Sequence, residues 1–209
     1  MKLYIVRHGE TAWNKEEVFR GRKDIPLNDT GKRQAEMVGA YFAGRSVDRI
    51  VASPLSRATV TADAISRTTG VRVETMEEFT DINFGTWEGL PLKDVEKRFP
   101  QDFACWKTSP EKARIEGGET LAEVRDRVSR AIANISDQEG SVVVVTHRVI
   151  CKLVVLSCLD IANNHFWDMK FDPTSVTLLE QQQDRFVLAY SNDTCHLQAQ
   201  RLPSAYRDF

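Results

Sequence analysis

Four valines in a row, Val142–Val145, flanked by Ser141 and Thr146, constrain this chain more than any other feature. β-branched side chains are stiff and suit a pleated strand. A strand with one wet face alternates apolar and polar residues. This one does not, so both of its faces must be covered. That takes a layer of helices on each side of an α/β sheet.

The rest of the chain supplies the parts. Leu3–Arg7, Arg49–Ala52 and Val71–Thr75 read as strands. Val176–Leu179 and Phe186–Tyr190 read as two more, joined by a polar turn over 180–185. Thr30–Ala43 reads as a helix, with Asn28 and Asp29 as caps and Ala35, Val38 and Phe42 at helical spacing. Ser56–Thr68 reads as a second helix, ended by Gly70. Thr120–Ser136 is a long amphipathic one, and the last runs from about Val149 to Leu159. The expected fold is a three-layer α/β/α sandwich with a mostly parallel central sheet, all 209 residues forming one domain. Residues 81–118 break the rhythm with Gly85, Gly89, Pro91, Pro100, Pro110, Gly117 and Gly118. They predict an irregular helical cap with short helices near Leu92–Arg98 and Asp102–Trp106.

In such sheets ligands bind beyond the carboxyl ends of the strands. Arg7-His8-Gly9-Glu10-Thr11, Ser53-Pro54-Leu55-Ser56-Arg57 and Thr146-His147 follow three predicted strands, so each places a cation or imidazole at one sheet edge. Phosphoryl transfer needs a nucleophile in line with phosphorus, positive charge around the equatorial oxygens and a proton for the leaving group. A neutral imidazole can attack when its other nitrogen is held. Arginine's planar fork matches a phosphate. Arg7, His8, Arg57 and His147 provide these parts.

Charge and cysteines exclude other classes. Lys and Arg number 28 against 30 Asp and Glu, so no basic excess points to nucleic acid or a membrane surface. The most apolar stretch, 142–161, contains His147, Arg148 and Lys152, which fits a strand and a buried helix rather than a membrane span. Cys105, Cys151, Cys158 and Cys195 show no C-x-x-C spacing, so reduced thiols are expected. Met1-Lys2 leads into a strand rather than a signal peptide, and a cytoplasmic location is expected. A homodimer is left open.

The run Arg7-His8-Gly9-Glu10-Thr11-Ala12-Trp13-Asn14 resembles the signature of the histidine phosphatase superfamily, the phosphoglycerate mutase-like fold. The likeness continues through Gly21 with Pro26-Leu27, Ser53-Pro54-Leu55-x-Arg57-Ala58, Phe84-Gly85-x-Trp87-Glu88-Gly89, Gly117-Gly118-Glu119-Thr120 and Thr146-His147. It implies that His8 becomes phosphorylated and that Arg7, Arg57 and His147 bind the phosphoryl group. It further implies that Asn14 and the backbone near Gly21 add hydrogen bonds, and that Asp81 gives a proton to the leaving oxygen and then activates water. No metal and no cofactor is implied. Arg20, Arg22 and Lys23 form a small basic cluster that reads either as a solvated loop or as gathering substrate, and Arg20 is counted with the binding residues.

This chain departs from the family pattern twice. Relatives usually carry Glu where Asp81 stands, which keeps Glu10 and Glu88 open as other proton donors. Many carry Gly-Gly where Arg148-Val149 stands, and Arg148 is expected to point away from the pocket. His165 and His196 lack motif context and read as structural. Trp13 and Trp87 read as pocket mouth or as packing. The core does not separate a phosphatase from a mutase, but Leu90–Glu116 is short and no Arg-Arg pair occurs, which favours hydrolysis. The expected activity is a phosphomonoesterase acting on small phosphorylated metabolites through a phosphohistidine. α-Ribazole-5′-phosphate phosphatase, metal-independent phosphoserine phosphatase, cofactor-dependent phosphoglycerate mutase and an inactive phosphate-binding module stay as alternatives. Phe84 stands where the phosphoserine type tends to carry His, which suits a less polar alcohol.

Overall fold

The computed structural model describes residues 1–136, 139–183 and 185–198. Six strands form one sheet: β1 (Lys2–Arg7), β2 (Arg49–Ala52), β3 (Val73–Thr75), β4 (Ser141–Thr146), β5 (Val176–Gln182) and β6 (Arg185–Asp193). Their order is β3-β2-β4-β1-β5-β6. β1 to β4 run parallel, and β5 and β6 close one edge antiparallel. The Val strand lies inside the sheet between β1 and β2, and all six of its residues are buried. β5 and β6 run further than the sequence predicts. Glu180–Gln182 and Arg185 stay in the ladder although polar, because β6 is an edge strand whose side chains reach solvent.

Alternation along the strands sorts the core into two halves. Tyr4, Val6, Ile50, Ala52, Val143 and Val145 face α2 (Asp29–Phe42) and α3 (Ser56–Thr69). Leu3, Ile5, Val51, Val142 and Val144 face α6 (Leu121–Ser136), α7 (Arg148–Cys158) and the cap. A short α1 (Ala12–Lys15) follows β1, and the cap carries α4 (Leu92–Arg98) and α5 (Pro100–Thr108). Its aromatic residues join this second half: Trp87 packs on Phe19, Phe99 and Phe103, and Trp106 on Phe84 and Phe166. Trp87 is 1% exposed, so it is packing and not pocket mouth.

Local chemistry sets the helix ends at the site. Asn28 caps α2 by accepting from the Gly31 N–H at 2.8 Å. Gly31 itself must be glycine, because a Cβ there would sit 2.0 Å from the carbonyl oxygen of Glu10. That close approach seats the loop after β1 on the start of α2. Asp24 accepts from both the N–H and the hydroxyl of Ser56, at 2.8 and 2.7 Å, and so starts α3. α7 begins directly after His147. Among the described residues, no helix is long and apolar enough to cross a membrane. The four cysteines are free thiols, and burial raises the pKa of Cys158 to about 12.

Candidate active site

The carboxyl ends of β1, β2 and β4 bring His8, Ser53, Arg57 and His147 together, and all four are essentially buried. The His8 and His147 ring centroids are 5.1 Å apart. The His8 N–H donates to the Thr146 carbonyl at 2.9 Å, tying β1 to β4. The His8 Nδ1 lies 2.6 Å from the Gly9 carbonyl oxygen. A carbonyl only accepts, so the proton of a neutral His8 is on Nδ1 and the lone pair is on Nε2. The Nε2 is buried with no hydrogen-bond partner among the described residues.

Burial lowers the His8 pKa well below its ordinary value, and the charges of Arg57, Arg7 and Arg20 lower it further. His147 is depressed likewise, by burial first and then by Arg57, His8, Arg20 and Arg7. Both imidazoles are therefore neutral near pH 7. The Arg57 Nε–H donates to the His147 Nδ1 at 3.2 Å, which makes that nitrogen the acceptor. The His147 Nε2–H then donates to the Ser53 hydroxyl at 2.8 Å.

Arg57 is the most heavily bonded side chain here. Its Nη1 donates to the Lys23 carbonyl at 2.8 Å, and its Nη2 to the Gly21 carbonyl at 2.9 Å and to the Asp81 Oδ2 at 3.3 Å. Burial lowers its pKa, and Asp81 works against that shift. Arg7 is 2% exposed and donates through Nη1 to the Phe171 carbonyl at 2.5 Å.

Above this floor lies a cavity of about 330 Å³. Its wall includes Arg7, Asn14, Arg20, Gly21 and Asp81, with the apolar Trp13, Phe19 and Phe84 beside them. His8, Arg57 and His147 are not on the wall; they form the layer beneath it. Asn14 accepts from the Thr11 N–H and hydroxyl through Oδ1, both at 2.9 Å, which leaves its amide N–H groups for a ligand. Gly21 is in the left-handed region at φ 52°, and a Cβ there would overlap the Glu88 side chain.

The three candidate carboxylates stand apart. Asp81 is on the wall, with Oδ2 3.7 Å from the His147 Nδ1. Glu10 is buried, accepts from Asn28 at 2.6 Å and pairs with Lys15 at 3.3 Å. The Glu88 Oε1 accepts from the Arg22 and Phe84 N–H groups at 2.8 and 3.1 Å and joins the loop after β1 to the cap. Neither Glu10 nor Glu88 lines the cavity.

The expectation that Arg148 points away is corrected: it lines the cavity beside Val149, because the first turn of α7 opens directly onto it. The histidines without motif context are elsewhere. His165 is exposed and pairs with Asp168, and His196 lies 3.4 Å from the Thr174 hydroxyl with its pKa lowered by burial to about 4. Sequence reasoning missed Ser53 as the partner of His147, although it opens a motif. It missed Thr61, which accepts from the Gly9 N–H at 3.1 Å and donates to the Arg57 carbonyl at 2.8 Å. It also missed Thr174, a β-branched residue at φ 55° whose N–H holds the Arg7 carbonyl at 3.0 Å. No sequence signal marks that last residue.

The geometry has counterparts among known proteins. The family model of the histidine phosphatase superfamily (branch 1) matches residues 3–194. Phosphoserine phosphatase 1 of Hydrogenobacter thermophilus is 31% identical over 199 residues, 94% of each chain. The solved structure of Bacillus stearothermophilus YhfR superposes with a TM-score of 0.89 at 29% identity, covering 94% of this chain and 98% of the other. That of a phosphoserine phosphatase from Entamoeba histolytica, bound to 3-phosphoglyceric acid, gives 0.85 at 27%, with 94% and 98% covered.

Proposed function

The chain belongs to the histidine phosphatase superfamily, and on that premise we propose that it is a phosphomonoesterase working through a phosphohistidine on His8. The observation that carries this reading is the His8 imidazole, with its proton on Nδ1 and a bare, buried Nε2 among Arg7, Arg57 and His147.

The Nε2 lone pair attacks phosphorus and the bond to the leaving oxygen breaks. Asp81 gives a proton to that oxygen, and the alcohol leaves. Asp81, now a carboxylate, takes a proton from water, whose oxygen attacks the phosphohistidine. Inorganic phosphate departs and the neutral imidazole returns. Arg7 and the one N–H of Arg57 that the floor leaves unengaged hold the equatorial oxygens, where charge spreads in the transition state, and His147, bonded to Arg57 and Ser53, orients that guanidinium. Asn14 and the backbone at Gly21 add donors at the side. Hydrolysis fits better than mutase transfer, because Asp81 faces a cavity where water can follow the alcohol. The relatives named for phosphoserine support a small phosphorylated metabolite as substrate.

The test is direct. Purified protein is expected to hydrolyse p-nitrophenyl phosphate in excess EDTA, and acid quench is expected to give an acid-labile, base-stable phosphoenzyme that His8→Ala lacks. A His8→Ala protein that still turns over and still becomes phosphorylated would move the nucleophile elsewhere.

A further inference from the structure

The cavity wall carries a guanidinium that the phosphoryl chemistry leaves unused. Arg20 lines the cavity with Phe84, and its Nε is buried without a hydrogen-bond partner. Among the described residues no carboxylate lies within ion-pair distance of it. Lys15, also on the wall, is by contrast paired with Glu10 at 3.3 Å. Arg20 also has company of its own sign. Burial, Arg7, Arg57 and Arg148 all lower its pKa, and Asp81 alone among its main neighbours raises it. A guanidinium's pKa starts so high that the group stays charged nonetheless. A half-buried cation whose buried Nε is unbonded, among other cations, is a costly arrangement that calls for an explanation.

We propose that Arg20 binds a second negatively charged group, a carboxylate or a further phosphate, on the alcohol portion of the substrate. The inference rests on the phosphomonoesterase reading and names its substrate class. Placement supplies the argument. His8, His147 and Arg57 lie beneath the wall, so the transferred phosphoryl group is held at the floor. Asp81 is on the wall and meets the leaving oxygen, so what fills the cavity beyond it is the alcohol. Arg20 faces that volume with its fork uncommitted, whereas four of the five N–H donors of Arg57 are engaged by Gly21, Lys23, Asp81 and His147. A planar fork with free donors suits a carboxylate or phosphate.

The test uses 3-phosphoglycerate and glycerol 3-phosphate, which both carry phosphate on a primary carbon and differ in a carboxylate against a hydroxymethyl group. Wild type is expected to favour the carboxylate member by about tenfold or more in kcat/KM, the range of a hydrogen bond to a charged group. Arg20→Gln is expected to remove most of that preference, the carboxylate member losing far more. A substrate turned over too slowly is compared by its Ki against p-nitrophenyl phosphate. Should Arg20→Gln melt below the assay temperature, Arg20→Lys carries the comparison: it keeps charge, loses the fork and is expected to lower the ratio about threefold. Equal loss on both substrates would put Arg20 on the transferred phosphoryl and overturn the proposal, as would a wild-type ratio near one. With p-nitrophenyl phosphate still hydrolysed, either result sinks only the role of Arg20. With that substrate inert, the phosphomonoesterase reading falls too.

Discussion

On the floor of the cavity Arg57 bonds to His147, Asp81 and two backbone carbonyls, and both nitrogens of His147 are engaged. On its wall Arg20 has a bare Nε, and the apolar Trp13, Phe19 and Phe84 share that wall. The floor has to present the same charges to the same tetrahedral group in every turnover. Fixing them beforehand avoids reorganisation during the reaction. The wall has to admit an alcohol, and there the Arg20 Nε keeps its proton for a ligand. Rigidity and openness thus divide across a few ångströms, and Asp81 stands at the boundary, bonded to Arg57 but exposed to the cavity.

The sharpest way to probe that boundary is Asp81→Asn. The amide still accepts from Arg57 and keeps the shape, but it cannot give or take the proton. The expected loss of kcat is about 10²–10⁴-fold for alkyl phosphates, the usual worth of general acid–base help. Loss of phosphoenzyme formation is expected to be smaller for p-nitrophenyl phosphate, whose leaving group departs as an anion. Equal loss of that step for both classes, in stopped-flow turnover, would take the acid role away from Asp81.

A second measurement asks what the rigid floor costs. His8 and His147 have folded-state pKa values well below their unfolded value, from burial first and neighbouring arginines next. Below about pH 6.5 the unfolded chain takes up a proton on each imidazole that the folded chain refuses. Stability is therefore lost as pH falls, from the unfolded pKa downward. Each imidazole is expected to cost at most about 2 kcal/mol between pH 7 and 5, the limit for a ring that stays neutral in the folded state throughout. His8→Asn removes one of them, so its urea-melt stability should fall by that much less over the same interval. His196, whose pKa is about 4, contributes to both proteins and cancels in the difference. Parallel pH profiles for the two would show that the floor does not hold His8 neutral.

The floor was far more legible in the sequence than the wall. The four valines set the sheet, and the residues after each strand fell at one edge because parallel strands must end there. The ends of α2 and α3 followed from Asn28 and Gly70, whose side chain and φ of 76° act locally. The wall is assembled by contacts distant in sequence, which no local pattern encodes. Arg148 turned inward because the start of α7 faces the cavity, and Trp87 turned inward because the cap folds its aromatic residues onto the sheet. Thr174 holds β1 through a backbone N–H that any residue possesses.

The smallest expected effect tests the least visible part of the floor. Ser53 is fully buried, accepts from the His147 Nε2–H and also from the Leu55 N–H at 3.3 Å. It touches no substrate, so it is a positioning residue. Ser53→Ala leaves the His147 proton without a partner, and the ring then has only Arg57 to orient it. One neutral hydrogen bond is worth about 1 kcal/mol, or roughly fivefold. The loss is expected in kcat, with KM for p-nitrophenyl phosphate nearly unchanged, because the proposed work of the Arg57 guanidinium that His147 orients falls on charge that develops in the transition state. Asn14→Ala offers the contrast: Asn14 lines the wall with its amide N–H groups left for a ligand, and their loss is expected to raise KM instead. If Ser53→Ala raises KM and spares kcat, the floor is no more preorganised than the wall, and the distinction between them fails.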